Sequence, residues 1–229
     1  MKFSSGKFFH GGLFRLIPLL AVMIAIGCVP EVALAEVIHF DDATPGKAPP
    51  GWGATLTGRG NPQWTLVRED GAPSGSQVLK QSGTATFPLC LWREATLKDG
   101  FVEVKFKPLS GKEDQAAGLV WRCLDARNYY VVRANALENN VVMYKLHKGR
   151  RSSIDIVGRK GGYGVKVKVP RGEWGTLKAT FAGSRFAVFL NGKKLFEVED
   201  KTFGGAGQVG LWTKADSVTL FDDFTFEGK

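Results

Sequence analysis

From Val37 to Phe226 the chain is a succession of short apolar or alternating runs, separated by clusters of Gly, Pro, Asn and Asp. The runs predict strands over Val37–Phe40, Trp64–Arg68, Gln77–Lys80, Ala85–Trp92, Phe101–Lys107, Gly118–Leu124 and Tyr129–Ala134. Further strands are expected over Val141–His147, Ser153–Val157, Trp174–Phe181, Phe186–Asn191, Leu195–Glu199, Gln208–Thr213 and Ser217–Phe226. Regularly spaced strands with turn chemistry between them mark an all-β sandwich or barrel. In Phe101–Lys107, Val102, Val104 and Phe106 share one face, while Phe101, Glu103, Lys105 and Lys107 share the other. One face is therefore buried and one wet. Phe186–Asn191 is apolar on both faces, as expected deep in a two-layer stack. Asn191-Gly192 is the strongest hairpin signal, because both residues accept the positive φ of a tight turn. Asp41 to Pro62 is rich in Pro and Gly without periodicity and reads as an ordered loop.

The first thirty-five residues have a different character. Lys2, Lys7 and Arg15 precede an apolar run, Leu16–Ile26, and Ala33-Leu34-Ala35 follows. This is the pattern of a signal peptide cleaved before Glu36. The apolar run falls short of the roughly 20 residues that span a bilayer. Residues 36–229 then form a single exported domain, periplasmic or secreted. Gly27-Cys28 keeps a lipid-anchored product open. A domain of this size buries about 70% of its unfolded surface and needs no metal or disulfide to hold a core.

The formal charge is +9, and the part after the leader stays basic. Such a surface tolerates anionic material such as cell-wall polymer or lipid headgroups. It does not by itself mark a nucleic-acid reader, and none is expected. Cys90 and Cys123 both sit in apolar strand-like segments. Two readings stand: a disulfide formed in an oxidising compartment, or two unlinked small core residues.

Gly205-Ala206-Gly207-Gln208-Val209-Gly210 has the spacing of a dinucleotide fingerprint, but Leu211-Trp212-Thr213 continues as strand, not helix. It reads as a glycine-rich turn into a strand. His39 and His147 are far apart and mark no catalytic triad. Glu103, Asp125, Glu138, Asp216, Asp222 and Asp223 lack the close carboxylate spacing that sandwich-fold retaining glycosidases carry on one strand. No cofactor is required by anything in the chain. A structural calcium is the one ion the residues suggest: Asp41, Asp42, Asp222 and Asp223 converge if the terminal strands pair, and oxygen-rich clusters suit that ion. A bare acidic edge is the alternative.

Gly118 to Tyr144 is the richest block. It interleaves Trp121, Tyr129, Tyr130 and Tyr144 with Arg122, Arg133, Asn135, Glu138, Asn139 and Asn140. Sugars present apolar C–H faces ringed by hydroxyls, so their sites need flat aromatic surface beside planar donors and acceptors. The expected ligand-binding set is Trp121, Arg122, Tyr130, Arg133, Asn135 and Glu138, joined by Trp212, Lys214 and Asp216. Tyr129 and Tyr130 are adjacent on a strand, so one of them must face the core.

Three stretches resemble one family. Gly172-Glu-Trp-Gly-Thr-Leu177 followed by Arg185-Phe-Ala-Val-Phe-Leu-Asn-Gly192 is similar to the pattern of laminin-G and concanavalin A-like domains. Asn128–Val141, and Gly207–Asp216 with Phe221-Asp-Asp-Phe224, resemble a bacterial exported family named for 3-keto-disaccharide hydrolase activity, also described as glycosidase-like. The resemblance covers nearly all of the mature chain. It implies a concanavalin A-like jelly-roll sandwich and a carbohydrate partner. For the named enzymes it also implies cleavage of 3-keto-glycosides by hydrolysis or elimination, because the keto group acidifies the adjacent C–H. Many members of the fold only bind, and a non-catalytic envelope-interaction domain is the third expectation.

Overall fold

The computed structural model describes residues 1–4, 6–7, 34–41 and 43–229. The expected leader core, Leu16–Ile26, lies outside the described residues, as do Arg15, Cys28 and Asp42. One compact unit, Ala33–Lys229, holds every strand among the described residues. None of these residues forms a helix long and apolar enough to cross a membrane.

The strands are β1 (Glu36–Ile38), β2 (Trp52–Asn61), β3 (Trp64–Arg68), β4 (Gln77–Gln81), β5 (Thr84–Leu97) and β6 (Gly100–Ser110). Next come β7 (Ala116–Asp125), β8 (Asn128–Asn135), β9 (Asn140–His147), β10 (Arg150–Ser153) and β11 (Val165–Lys166). The chain closes with β12 (Gly175–Ala182), β13 (Arg185–Leu190), β14 (Lys193–Glu199), β15 (Gly207–Trp212) and β16 (Val218–Gly228). One sheet has the order β14-β13-β12-β6-β16-β4-β3, with β1 also on β16. The second has the order β10-β9-β8-β7-β15-β5-β2, with β11 also on β9. This is the all-β, concanavalin A-like jelly-roll sandwich. Between the sheets lies the main core, which includes Val104, Trp121, Val132, Phe181, Phe186 and Phe221.

The alternation read in Phe101–Lys107 is realised in β6: Val102, Val104 and Phe106 are buried, and the residues between them are half-exposed. Asn191 (φ 50°) and Gly192 (φ 76°) make the two-residue turn joining β13 to β14. Tight hairpins need positive φ at both positions. Four expectations shift. β13 has one wet face, with Ala187 and Phe189 half-exposed, because none of the described residues covers the outer side of its sheet there. Residues 52–61, expected as loop, form β2. Its glycines hid it: Gly58 (φ 89°) and Gly60 (φ 126°) break the alternation where the pairing with β5 shifts register, as glycines at bulges do. The strand expected at Ser153–Val157 lies earlier, at β10. Beyond it Ile154 and Ile156 turn in against the inter-sheet core. The two-residue β11 was not anticipated.

The second sheet is strongly curled. Phe87 on β5 and Arg151 on β10 are five strands apart in the sheet order, which in a flat sheet is about 24 Å at ~4.8 Å per strand. Yet the Arg151 guanidinium carbon lies 4.9 Å from the Phe87 ring centroid. On β2, the Thr57 hydroxyl reaches the Tyr129 hydroxyl of β8 at 2.8 Å. The sheet is a half-barrel. Its concave face, turned away from the main core, carries a second cluster that includes Leu89, Val120, Tyr129, Val131, Tyr144 and Trp212. Gly210 permits the close strand approach: a Cβ there would lie 2.3 Å from the Cys90 carbonyl oxygen.

Candidate functional site

β8 sends Tyr130, Val132 and Ala134 into the main core. Tyr129 and Val131 enter the concave cluster, and strand alternation places Arg133 and Asn135 on the same face. Arg133 is fully buried. A buried guanidinium must be paired, and this one is. Its nitrogens donate to Glu138 at 2.9 and 3.3 Å, to Asn140 Oδ1 at 2.9 Å and to Asp114 at 3.4 Å. Asp114, also fully buried, accepts from Asn135 at 2.5 Å and from the Lys214 ammonium. The loop carrying Asp114 is organised by Asp216. Its carboxylate accepts the amides of Lys112 (2.6 Å), Glu113 (3.0 Å) and Asp114 (3.1 Å). Of the Arg133 nitrogens, Nε has no partner among the described residues.

The Arg133 hydrogen bond holds the Glu138 carboxyl down to about 2, against burial that pulls the other way. A depressed carboxyl contributes stability above its unfolded value and loses it as pH falls through the folded one. Thermal midpoints are therefore expected to fall between about pH 4.5 and pH 2, and Glu138→Gln should flatten part of that slope. Identical slopes in parent and variant would contradict the pairing.

Beside this network lie the aromatics. Arg151 sits over the rings of Tyr144 (4.5 Å) and Phe87 (4.9 Å). Arg133 lies 5.9 Å from the ring of Tyr144 and 5.9 Å from that of Tyr163. The Tyr144 hydroxyl donates to that of Tyr163, which is half-exposed. Phe87 stacks on Trp212 at 5.3 Å, and Trp212 Nε1 donates to the Tyr129 hydroxyl at 3.2 Å. A cleft of about 630 Å³ opens here, lined by Arg59, Thr84, Thr86, Phe87, Glu113 and Lys214.

The nine residues expected to bind ligand divide into groups. Arg133, Asn135, Glu138, Lys214 and Asp216 come together in the buried network or at the cleft. Trp212 is beneath it, fully buried under Phe87. Trp121 and Tyr130 are elsewhere. Trp121 is fully buried between the sheets, stacked on Phe181 and Tyr130. The Tyr130 hydroxyl donates to Asp200 at 2.7 Å. Strand phase turns both rings away from the concave face, where a ligand cannot reach them. Arg122 is also out of place for a ligand. Its φ of 46° kinks β7 and turns the guanidinium over Phe186 and Phe181. There it donates to the carbonyls of Lys98, Phe203 and Gly183 at 2.7–2.8 Å. Sequence reading missed Asp114, Phe87, Arg151 and Tyr163 because they come from other elements. Cys90 and Cys123 are buried free thiols. Cys90 belongs to the main core and Cys123 to the concave cluster, so they are not placed to bond.

The terminal strands do pair: β1 lies along β16, with Ile38 opposite Phe224. His39, Asp222 and Asp223 bring ligand atoms within 4.8 Å of one another, a grouping able in principle to hold a metal ion. Asp41 is not in it. Its carboxylate instead accepts the amides of Ser76 (2.7 Å) and Gln77 (3.1 Å) at the start of β4. Lys105 lies 2.9 Å from Asp223 and already supplies a positive charge. Ser74 is close by, but its hydroxyl and Asp223 both meet the same nitrogen, Nδ1, of His39. A catalytic triad needs the serine on one ring nitrogen and the acid on the other, so this is no triad.

Solved structures share the fold. A carbohydrate binding module, CBM66, from Bacillus subtilis is 23% identical, with a TM-score of 0.61, over 78% of this chain and 96% of its own. The cellulose induced protein Cip1 is 13% identical with a TM-score of 0.58, covering 86% and 97%. Domain 4 of AbnA, a GH43 extracellular arabinanase from Geobacillus stearothermophilus solved with arabinotriose, is 12% identical with a TM-score of 0.54, covering 85% and 93%. No curated protein matches the chain. The family described as the 3-keto-alpha-glucoside-1,2-lyase-like domain matches residues 39–227, and the chain belongs to that family.

Proposed function

We propose that the domain recognises a saccharide in the cleft at the mouth of the curled sheet, and that it works outside the cytoplasm after losing its leader. The observation that carries the reading is the half-buried ring of Phe87 at the cleft with Lys214, next to the Arg151 guanidinium and, beyond Tyr144, the exposed Tyr163. Flat rings suit the C–H face of a pyranose, and fixed cationic donors suit its oxygens. The carbohydrate binding module and the arabinanase domain of like fold support this choice of ligand class.

A second reading, an enzyme that cleaves 3-keto-glycosides, is favoured by the family and by Glu113. Glu113 lines the cleft, is exposed, and has no ion-pair partner among the described residues. Glu138 and Asp114, in contrast, are tied to Arg133. In that reading Glu113 takes the acidified C–H proton, the electron pair forms the new double bond, and the glycosidic C–O bond breaks. The departing oxygen then takes a proton.

Phe87→Ala is the direct test. Loss of its ring should weaken retention on the preferred glycan by about tenfold, as removing a stacking aromatic from a small site costs ~1–3 kcal/mol. Unchanged retention would remove the cleft from the account. Incubating the parent with 3-keto-sucrose or 3-keto-trehalose separates the two readings: released monosaccharide supports the enzyme, and intact substrate supports the binder.

A further inference from the structure

Arg151 is the group that the sandwich itself does not explain. It is half-buried on the concave face, between the rings of Tyr144 and Phe87. Among the described residues it makes no ion pair and no side-chain hydrogen bond. One of its nitrogens, Nη1, is buried without a partner. Arg133, beyond Tyr144, also has its Nε unpartnered while wholly buried. An unmatched guanidinium nitrogen away from water is costly. A cation lying over two rings recovers part of that cost. A guanidinium that only snorkelled would carry its nitrogens to water, but Nη1 is held inside.

The stretch of chain that carries Arg151 is mostly of the same sign. Residues 145–171 contain nine Lys or Arg and one acid, Asp155. Lys148, Arg150, Arg159, Lys160, Lys166, Lys168 and Arg171 are all exposed. A basic rim of this kind draws ligands of the opposite charge, and of the acids near the cleft Asp114 and Glu138 are already tied to Arg133 while Glu113 stays exposed.

Resting on the saccharide reading above, we propose that the ligand is an acidic saccharide whose anionic group, a carboxylate or a sulfate, is received by Arg151 on its platform of Phe87 and Tyr144. Planar guanidinium and oxyanion match bidentately. The anion meets the accessible part of the half-buried guanidinium, and the neighbouring Phe87 ring at the cleft remains for the ring of the sugar.

The test is a glycan panel in which neutral oligosaccharides are paired with carboxylated and with sulfated counterparts of the same linkage. The proteins are the parent, Arg151→Gln, Arg151→Lys and Arg150→Gln, each checked for folding by thermal melting. The parent is expected to retain one acidic series about tenfold more strongly than the neutral one, equivalent to about 1.4 kcal/mol. Which acidic series wins identifies the anionic group. Arg151→Gln should bring acidic and neutral members level. Arg151→Lys, which keeps the charge but not the fork, should lose part of the preference, and it reads the site even if the Gln variant melts early. Arg150→Gln, next to it on β10 and exposed, should leave the preference intact.

Equal retention of neutral and acidic members by the parent would overturn the proposal while leaving the saccharide reading standing. So would an Arg150→Gln effect as large as that of Arg151→Gln, which would assign the preference to the basic rim. Retention of no glycan at all would overturn the saccharide reading itself, and this inference with it.

Discussion

Asp114→Ala is expected to cost about 3–5 kcal/mol of stability, the range for breaking one side of a buried ion pair. The fully buried carboxylate accepts from Arg133, Asn135 and Lys214 at once. Its removal leaves the Arg133 guanidinium with Glu138 as its sole acid and strips the Asn135 amide of its acceptor. Lys214 suffers least, because its half-buried ammonium can turn to water. For a domain near this size each kcal/mol moves the thermal midpoint by about 2–4 °C, so a drop of roughly 6–20 °C should be read by calorimetry. Asp114→Asn keeps an acceptor for Asn135 but removes the charge, and should fall between the parent and the alanine variant. A loss below about 1 kcal/mol for Asp114→Ala would mean that water satisfies these groups, and that the network does not hold the site in shape.

Trp121→Ala is the second large effect, again about 3–5 kcal/mol, as for other aromatic truncations in a core. The ring is fully buried and lies against Phe181 (5.7 Å), Tyr130 (5.8 Å) and Phe186 (5.8 Å). A hole there falls where the two sheets meet. The variant also separates packing from recognition. Trp121→Phe retains most of the contact, and its glycan retention per folded molecule should equal that of the parent. A selective loss of binding in a stable Trp121→Phe protein would return this ring to the site.

These two residues also mark where sequence reasoning reached and where it stopped. The sandwich was legible because most strands carry their own signal. β6 alternates, the β13–β14 turn needs Asn191-Gly192, and the glycine-rich run before Leu211 leads into β15 as read. β2 was not legible, since its glycines serve the bulge instead of the pattern. In Gly118–Tyr144 the residue types were informative but the phase was not. Adjacency required Tyr129 and Tyr130 to face opposite ways, yet nothing local said which sheet face would be concave. Arg122 leaves the strand phase altogether at a kink. Asp114, Phe87 and Arg151 come from a loop and two distant strands, and curling of the sheet is what brings them together.

Amide chemical-shift mapping during titration with a retained glycan locates the site. Perturbations are expected on Thr86, Phe87, Glu113, Tyr163 and Lys214, around the mouth of the curled sheet. Perturbations grouped instead on Phe101, Lys178 and Phe189, across the outer face of the other sheet, would contradict that location.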